Sequence, residues 1–140
     1  MQVRYGVAAA VTAGLFATGC GSSDGGTDSA TEAREEASAT PEKAIQEIAA
    51  VRRGLSRAMR TYRAGDKVKA GDQVGDTYLQ HFELVEGPLE KADAALKENL
   101  EDGIREELRG KIRAGASQAE VDKLFAEIDA ELDQAEAALR

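Results

Sequence analysis

The chain has 140 residues, enough for one domain, and is acidic: 26 Asp and Glu against 18 Lys and Arg, a net charge of −8. That balance argues against nucleic-acid binding, which rests on neutralising phosphates, and against a basic patch held on a membrane surface. A single cysteine, Cys20, excludes an internal disulfide.

In chain order, Arg4 supplies one positive charge ahead of an apolar stretch at residues 7–18. This stretch is too short to span a bilayer and has the pattern of a signal peptide. It ends in Ala17-Thr18-Gly19-Cys20. Small residues before a lone Cys resemble the lipobox of bacterial lipoproteins, with Ala17 where Leu is usual. The resemblance implies cleavage after Gly19 and acyl chains on Cys20. Each buried CH₂ of such chains contributes about 0.8 kcal/mol, so two or three chains anchor the protein stably. Residues 1–19 are therefore read as a signal peptide, and loss of Arg4 with it leaves 17 bases against 26 acids. Residues 20–40 are rich in Gly, Ser and Thr at their start and are read as a flexible tether.

Residues 41–140 are rich in Ala, Leu, Glu, Lys and Arg, the best helix formers, with only Pro41 and Pro88 as prolines. Thr40-Pro41 opens a first helix, whose apolar stripe is Ile45, Ile48, Leu55, Met59 and Tyr62, and Ala64-Gly65 ends it. Asp66 caps a second helix, in which Val74, Tyr78, Phe82, Val85 and Leu89 share a face. Gly71 and Gly75 on the same side allow close helix approach, and Gly87-Pro88 predicts a kink or break near its end. Asp93 caps a third helix carrying Leu96, Leu100, Ile104, Leu108 and Ile112, and Gly115 closes it. Ser117 and Glu120 form a capping box for a fourth, with Val121, Leu124, Phe125, Ile128, Leu132, Ala135 and Leu139 on one stripe. Four such helices joined by short loops predict an all-α fold, an antiparallel up-down-up-down four-helix bundle.

No catalytic motif is present: His81 is the only histidine, and there is no phosphate-binding Gly loop or nucleophile elbow. The chain is not expected to be an enzyme. Asp72, Asp76, Glu83 and Glu86 fall within about 80° on the second helix at ideal geometry. They read either as a solvated face or as a shallow site for a hard cation, which prefers carboxylate oxygens. His81 borders the apolar stripe, as a hydrogen-bonded boundary residue or a ligand. Glu101 falls between Leu108 and Ile112, inside the apolar arc of the third helix. A carboxylate there needs a partner, with Arg52 as a candidate, or forms one wall of a metal site between helices.

The residues Tyr62, Gly65-Asp66, Tyr78, Phe82-Glu83, Glu86, Leu100-Glu101, Leu108-Arg109, Ile112 and Gly115 together resemble the extracytoplasmic helical domain of bacterial high-affinity iron permeases. The resemblance spans about residues 59–139. It implies a role in iron uptake at the outer face of the cytoplasmic membrane. The chain lacks the permease's Arg-Glu-x-x-Glu motifs and its membrane spans, so it would stand as a detached domain held by the lipid on Cys20. Carried over residue by residue, Glu83, Glu86 and Glu101, and more loosely Asp76, become candidate ligands for iron or another divalent cation, with His81 beside them. Two functions follow as expectations. One is a lipid-anchored binding module that binds iron or another cation, or passes it to a permease. The other is a structural or protein-interaction lipoprotein with no metal ligand.

Overall fold

The computed structural model describes residues 39–140; the expected signal peptide, the acylated Cys20 and nearly all of the tether lie outside the described residues. Among the described residues the fold is all-α, with no strand. Four helices enclose one core. No helix among them is long and apolar enough to cross a membrane.

Helix α1 spans Pro41–Arg63. The Thr40 hydroxyl accepts the Lys43 N–H at 3.3 Å, and Pro41 occupies the first turn, where its missing N–H is not needed. Gly65 stops the chain at φ +95°, a backbone conformation that only glycine adopts without strain. The buried face is broader than the expected stripe, adding Ala44, Val51 and Ala58, while Ile45 sits partly buried at its edge.

Helix α2 runs over residues 67–92 and opens on Asp66, whose carboxylate accepts the Lys69 N–H at 3.0 Å. It is not α-helical throughout. Tyr78–Phe82 forms a π turn between α-helical Lys67–Thr77 and Glu83–Ala92. Of the kink or break expected at Gly87-Pro88, the break does not occur. Pro88 is buried within the helix, which continues to Ala92 and ends where Asp93 turns to extended backbone. A proline ring removes one helix hydrogen bond, and Pro88 is nonetheless held in the helix, buried beside Leu89.

Helix α3 covers residues 94–114, capped by the Asp93 carboxylate on the Leu96 N–H at 3.0 Å. It too contains a π turn, Gly103–Leu108, and it ends at Gly115 with φ +72°. Helix α4, Gln118–Ala138, begins with the expected reciprocal bonds between Ser117 and Glu120.

The largest fully buried side chains include Ile48, Leu55 and Met59 of α1, Phe82 and Leu89 of α2, Leu100, Ile104, Leu108 and Ile112 of α3, and Ile128 and Leu132 of α4. Burying each contributes roughly 1.5–3 kcal/mol, so all four helices depend on the same core. Phe125 is only partly buried against it. α1 packs on α2 and α4, and the first half of α2 packs on the last turns of α3. The Tyr62 hydroxyl donates to the Ala116 carbonyl, tying the end of α1 to the α3–α4 turn.

Candidate functional site

The two π turns decide where the candidate ligands go. A π turn holds one residue more than an α turn, so every side chain after it is set back by about 100°. On α2 this separates Glu86 from the other carboxylates expected to share its face. Asp72 and Asp76 precede the turn; Glu83 and Glu86 follow it. Glu86 is thereby swung toward the apolar face, where it accepts a hydrogen bond from the Tyr78 hydroxyl.

On α3 the same shift corrects the expectation for Glu101. Setting Leu108 and Ile112 back by about 100° brings them over Leu96, Leu100 and Ile104, and leaves Glu101 at the edge of the arc. Its side chain is 26% exposed and is held within its own helix, by Lys97 Nζ at 3.3 Å and Arg105 Nη1 at 3.2 Å. Arg52 is not its partner. That guanidinium reaches across to α4, to Asp129 at 2.7 Å and to Asp133.

Tyr78 joins the two π turns. Its ring centroid lies 5.6 Å from that of Phe82, and the Arg105 guanidinium carbon lies 5.8 Å from the same ring, within cation–π range. Burial, then the bond to Glu86, then the negative charges of Glu86 and Glu101 push the phenol well above its usual range, so it stays a neutral donor.

Asp76 and Glu83 do come together, on a groove of about 380 Å³ between α2 and α3, with Asp72, Leu79, Arg105 and Arg109 also on its walls. Gly75, in the groove, and Gly71, one turn before it, make room for arginine side chains from α3. A Cβ on Gly71 would sit 2.8 Å from Arg113 Cγ, and one on Gly75 would sit 3.2 Å from Arg109 Cζ. Arg113 pairs with Asp72 at 2.6 Å.

His81 is turned toward α1. Its Nδ1 is 2.7 Å from Glu47 Oε2, and Lys43 Nζ is 2.6 Å from the other oxygen of that carboxylate. Lys43 first, and His81 second, hold the Glu47 carboxyl below the usual carboxylate range. His81 thus has the hydrogen bond expected of a boundary residue, and it also lines a second groove of about 410 Å³ between α1 and α2.

The five candidate ligands are therefore not gathered into one site: Glu86 is on Tyr78, Glu101 on Lys97 and Arg105, His81 on Glu47, while Asp76 shares the α2–α3 groove with Glu83 and the α1–α2 groove with His81. Among the described residues no three His, Cys, Asp or Glu side chains are grouped to hold a metal ion. The residues that sequence reasoning missed are Arg53 and Arg57 of α1, which line the second groove. A signal for them existed: α1 carries six bases and two acids in an acidic chain.

Compared with known proteins, the chain matches no family model, no curated protein and no solved structure.

Proposed function

We propose that this chain is a lipid-anchored, non-enzymatic helical module at the outer face of the cytoplasmic membrane, which works by contact with a membrane permease. The observation that carries this reading is the surface of α2. The exposed large hydrophobic residues among the described residues are Val68 at 71%, Leu79 at 59% and Leu84 at 40%, all on that helix. Val68 and Leu79 are eleven residues apart, close to three full turns, and Leu79 also lines the groove that holds Asp76 and Glu83. Apolar side chains beside a charged groove suit a protein partner better than a bare ion.

The resemblance to iron-permease domains points to an iron permease as that partner. Much of the shared pattern has a job inside the fold: Tyr78, Phe82, Leu100, Leu108 and Ile112 are buried, Glu86 and Glu101 are satisfied by neighbours, and Gly115 ends a helix. The intramolecular pairing of those carboxylates supports contact over iron carriage. The helices are taken to form an up-down-up-down bundle, on the strength of three short connections at 64–66, 93 and 115–117.

The test is co-purification of the full acylated chain with an iron permease from the same membranes, in detergent and in excess chelator. Recovery of the permease, and its loss with Leu79→Asp, is expected. No recovery, or recovery indifferent to Leu79→Asp, overturns the reading. Calorimetric binding of ferrous or ferric ion tighter than about 1 mM, abolished by Glu83→Gln, would restore direct iron binding in its place.

A further inference from the structure

The α1–α2 groove has a chemistry that the contact reading does not use. In a chain with a net charge of −8, α1 carries an excess of bases. Arg52 and Arg63 spend theirs on α4, against Asp129, Asp133 and Asp122. Arg53 and Arg57 are turned the other way. They line the α1–α2 groove, one helical turn apart, and neither forms an ion pair with any described residue. Side chains four apart on a helix are neighbours, so their forked guanidiniums can close on one ligand.

The rest of the groove is built from hydrogen-bonding groups. Gln73, Gln80 and His81 come from α2. The Oε1 atom of Gln73 is buried and has no hydrogen-bond partner. Such an atom is costly unless something in the groove satisfies it. A half-turn of the amide exchanges its oxygen and nitrogen, so the same position can offer an N–H donor to an anion. The floor is a close approach of two helices. A Cβ on Gly54 would lie 2.3 Å from Thr77 Oγ1, so only glycine admits Thr77 there. The volume of about 410 Å³ suits a small molecule.

We infer that this groove binds a small oxyanion of two or more negative charges, a phosphate or a polycarboxylate, clamped by Arg53 and Arg57 and hydrogen-bonded by Gln73 and Gln80. Asp76 also lines the groove, and its carboxylate opposes the ligand's charge. Because Arg53 and Arg57 lie at i and i+4, one phosphate group or two carboxylates of one molecule can engage both.

The experiment is titration of the full acylated chain with inorganic phosphate and, separately, with citrate, followed by calorimetry and by the side-chain amide signals of Gln73 and Gln80. Acetate serves as the singly charged control. Saturable binding of phosphate or of citrate, stronger than that of acetate, is expected. Binding by citrate alone identifies a polycarboxylate site, and binding by phosphate alone a phosphate site. Arg53→Gln with Arg57→Gln should weaken it about tenfold or more. Asp76→Asn should strengthen it about threefold. Arg60→Gln, on the same helix but outside the groove, should leave it unchanged. The inference is overturned if neither anion saturates, or if Arg60→Gln weakens binding as much as the double variant. No permease enters the assay, so its failure is separate from failure of the contact reading.

Discussion

The two flanks of α1 carry the same residue type to opposite ends. On one flank Arg52 and Arg63 are absorbed by α4, a helix with seven acids and one base, and their charge becomes part of the fold. On the other, Arg53 and Arg57 line a groove with Gln73, Gln80 and Asp76 of α2, and neither forms an ion pair with a described residue. The single ion pair between α1 and α2 among the described residues is Glu47 with His81. A charge becomes structural or functional according to the helix it faces, and neighbouring arginines in one sequence can differ completely in this respect.

The comparison breaks most severely at Gly54. Gly54→Val would force α1 away from Thr77 and should cost about 3 kcal/mol in chemical denaturation, more than any arginine change. If Gly54→Val is tolerated at below about 1 kcal/mol, the close α1–α2 floor is wrong.

Glu47 comes next. Its carboxyl is depressed in the folded state, so its contribution is complete above the ordinary carboxylate range and disappears as pH falls through the depressed value. Glu47→Gln should cost about 1.5 kcal/mol at pH 7 and flatten the acid limb of the stability profile. An unchanged acid limb would show that another group governs it.

The arginines test the contrast directly. Arg52→Ala should lose about 1 kcal/mol, because two partly exposed partners are released. Arg53→Ala should stay within about 0.5 kcal/mol of the parent while removing oxyanion binding. Equal losses would erase the distinction between the flanks.

The smallest effect lies on α4. Burial, then the charges of Glu127 and Glu107, raise the Glu131 carboxyl above its ordinary value. A raised acid is a penalty at neutral pH, relieved as pH falls through that value. Glu131→Gln should therefore stabilise the fold by about 0.5 kcal/mol at pH 7 and by nothing in acid, as thermal melts at the two pH values would show.

Much of the helical framework was legible. Thr40-Pro41, Asp66, Asp93 and the Ser117–Glu120 box act locally, through groups within a few residues, and each forms as its spacing predicts. So do the glycine stops at Gly65 and Gly115. The candidate site was far less legible, because a helical wheel assumes one period from end to end. A trace of the π turn was present in α3: a carboxylate landing inside an apolar arc, Glu101 between Leu108 and Ile112, marks two stretches of helix drawn in the wrong phase. The corresponding turn in α2 left no such anomaly, since Tyr78, Phe82, Val85 and Leu89 fit an ideal helix as well.

By itself, the sequence determined that residues 41–140 are helical, where each helix starts, and that the chain has an acidic balance with one concentrated run of bases. These follow from propensity, capping and composition, which act over a single turn. Tertiary structure alone decided which acids are spent on neighbours, which arginines form no ion pair among the described residues, and where two helices touch through Gly54 and Thr77. Those outcomes depend on the rotation of one helix against another, and a single extra residue in a turn changes that rotation by about 100° without altering the pattern from which the helix is read.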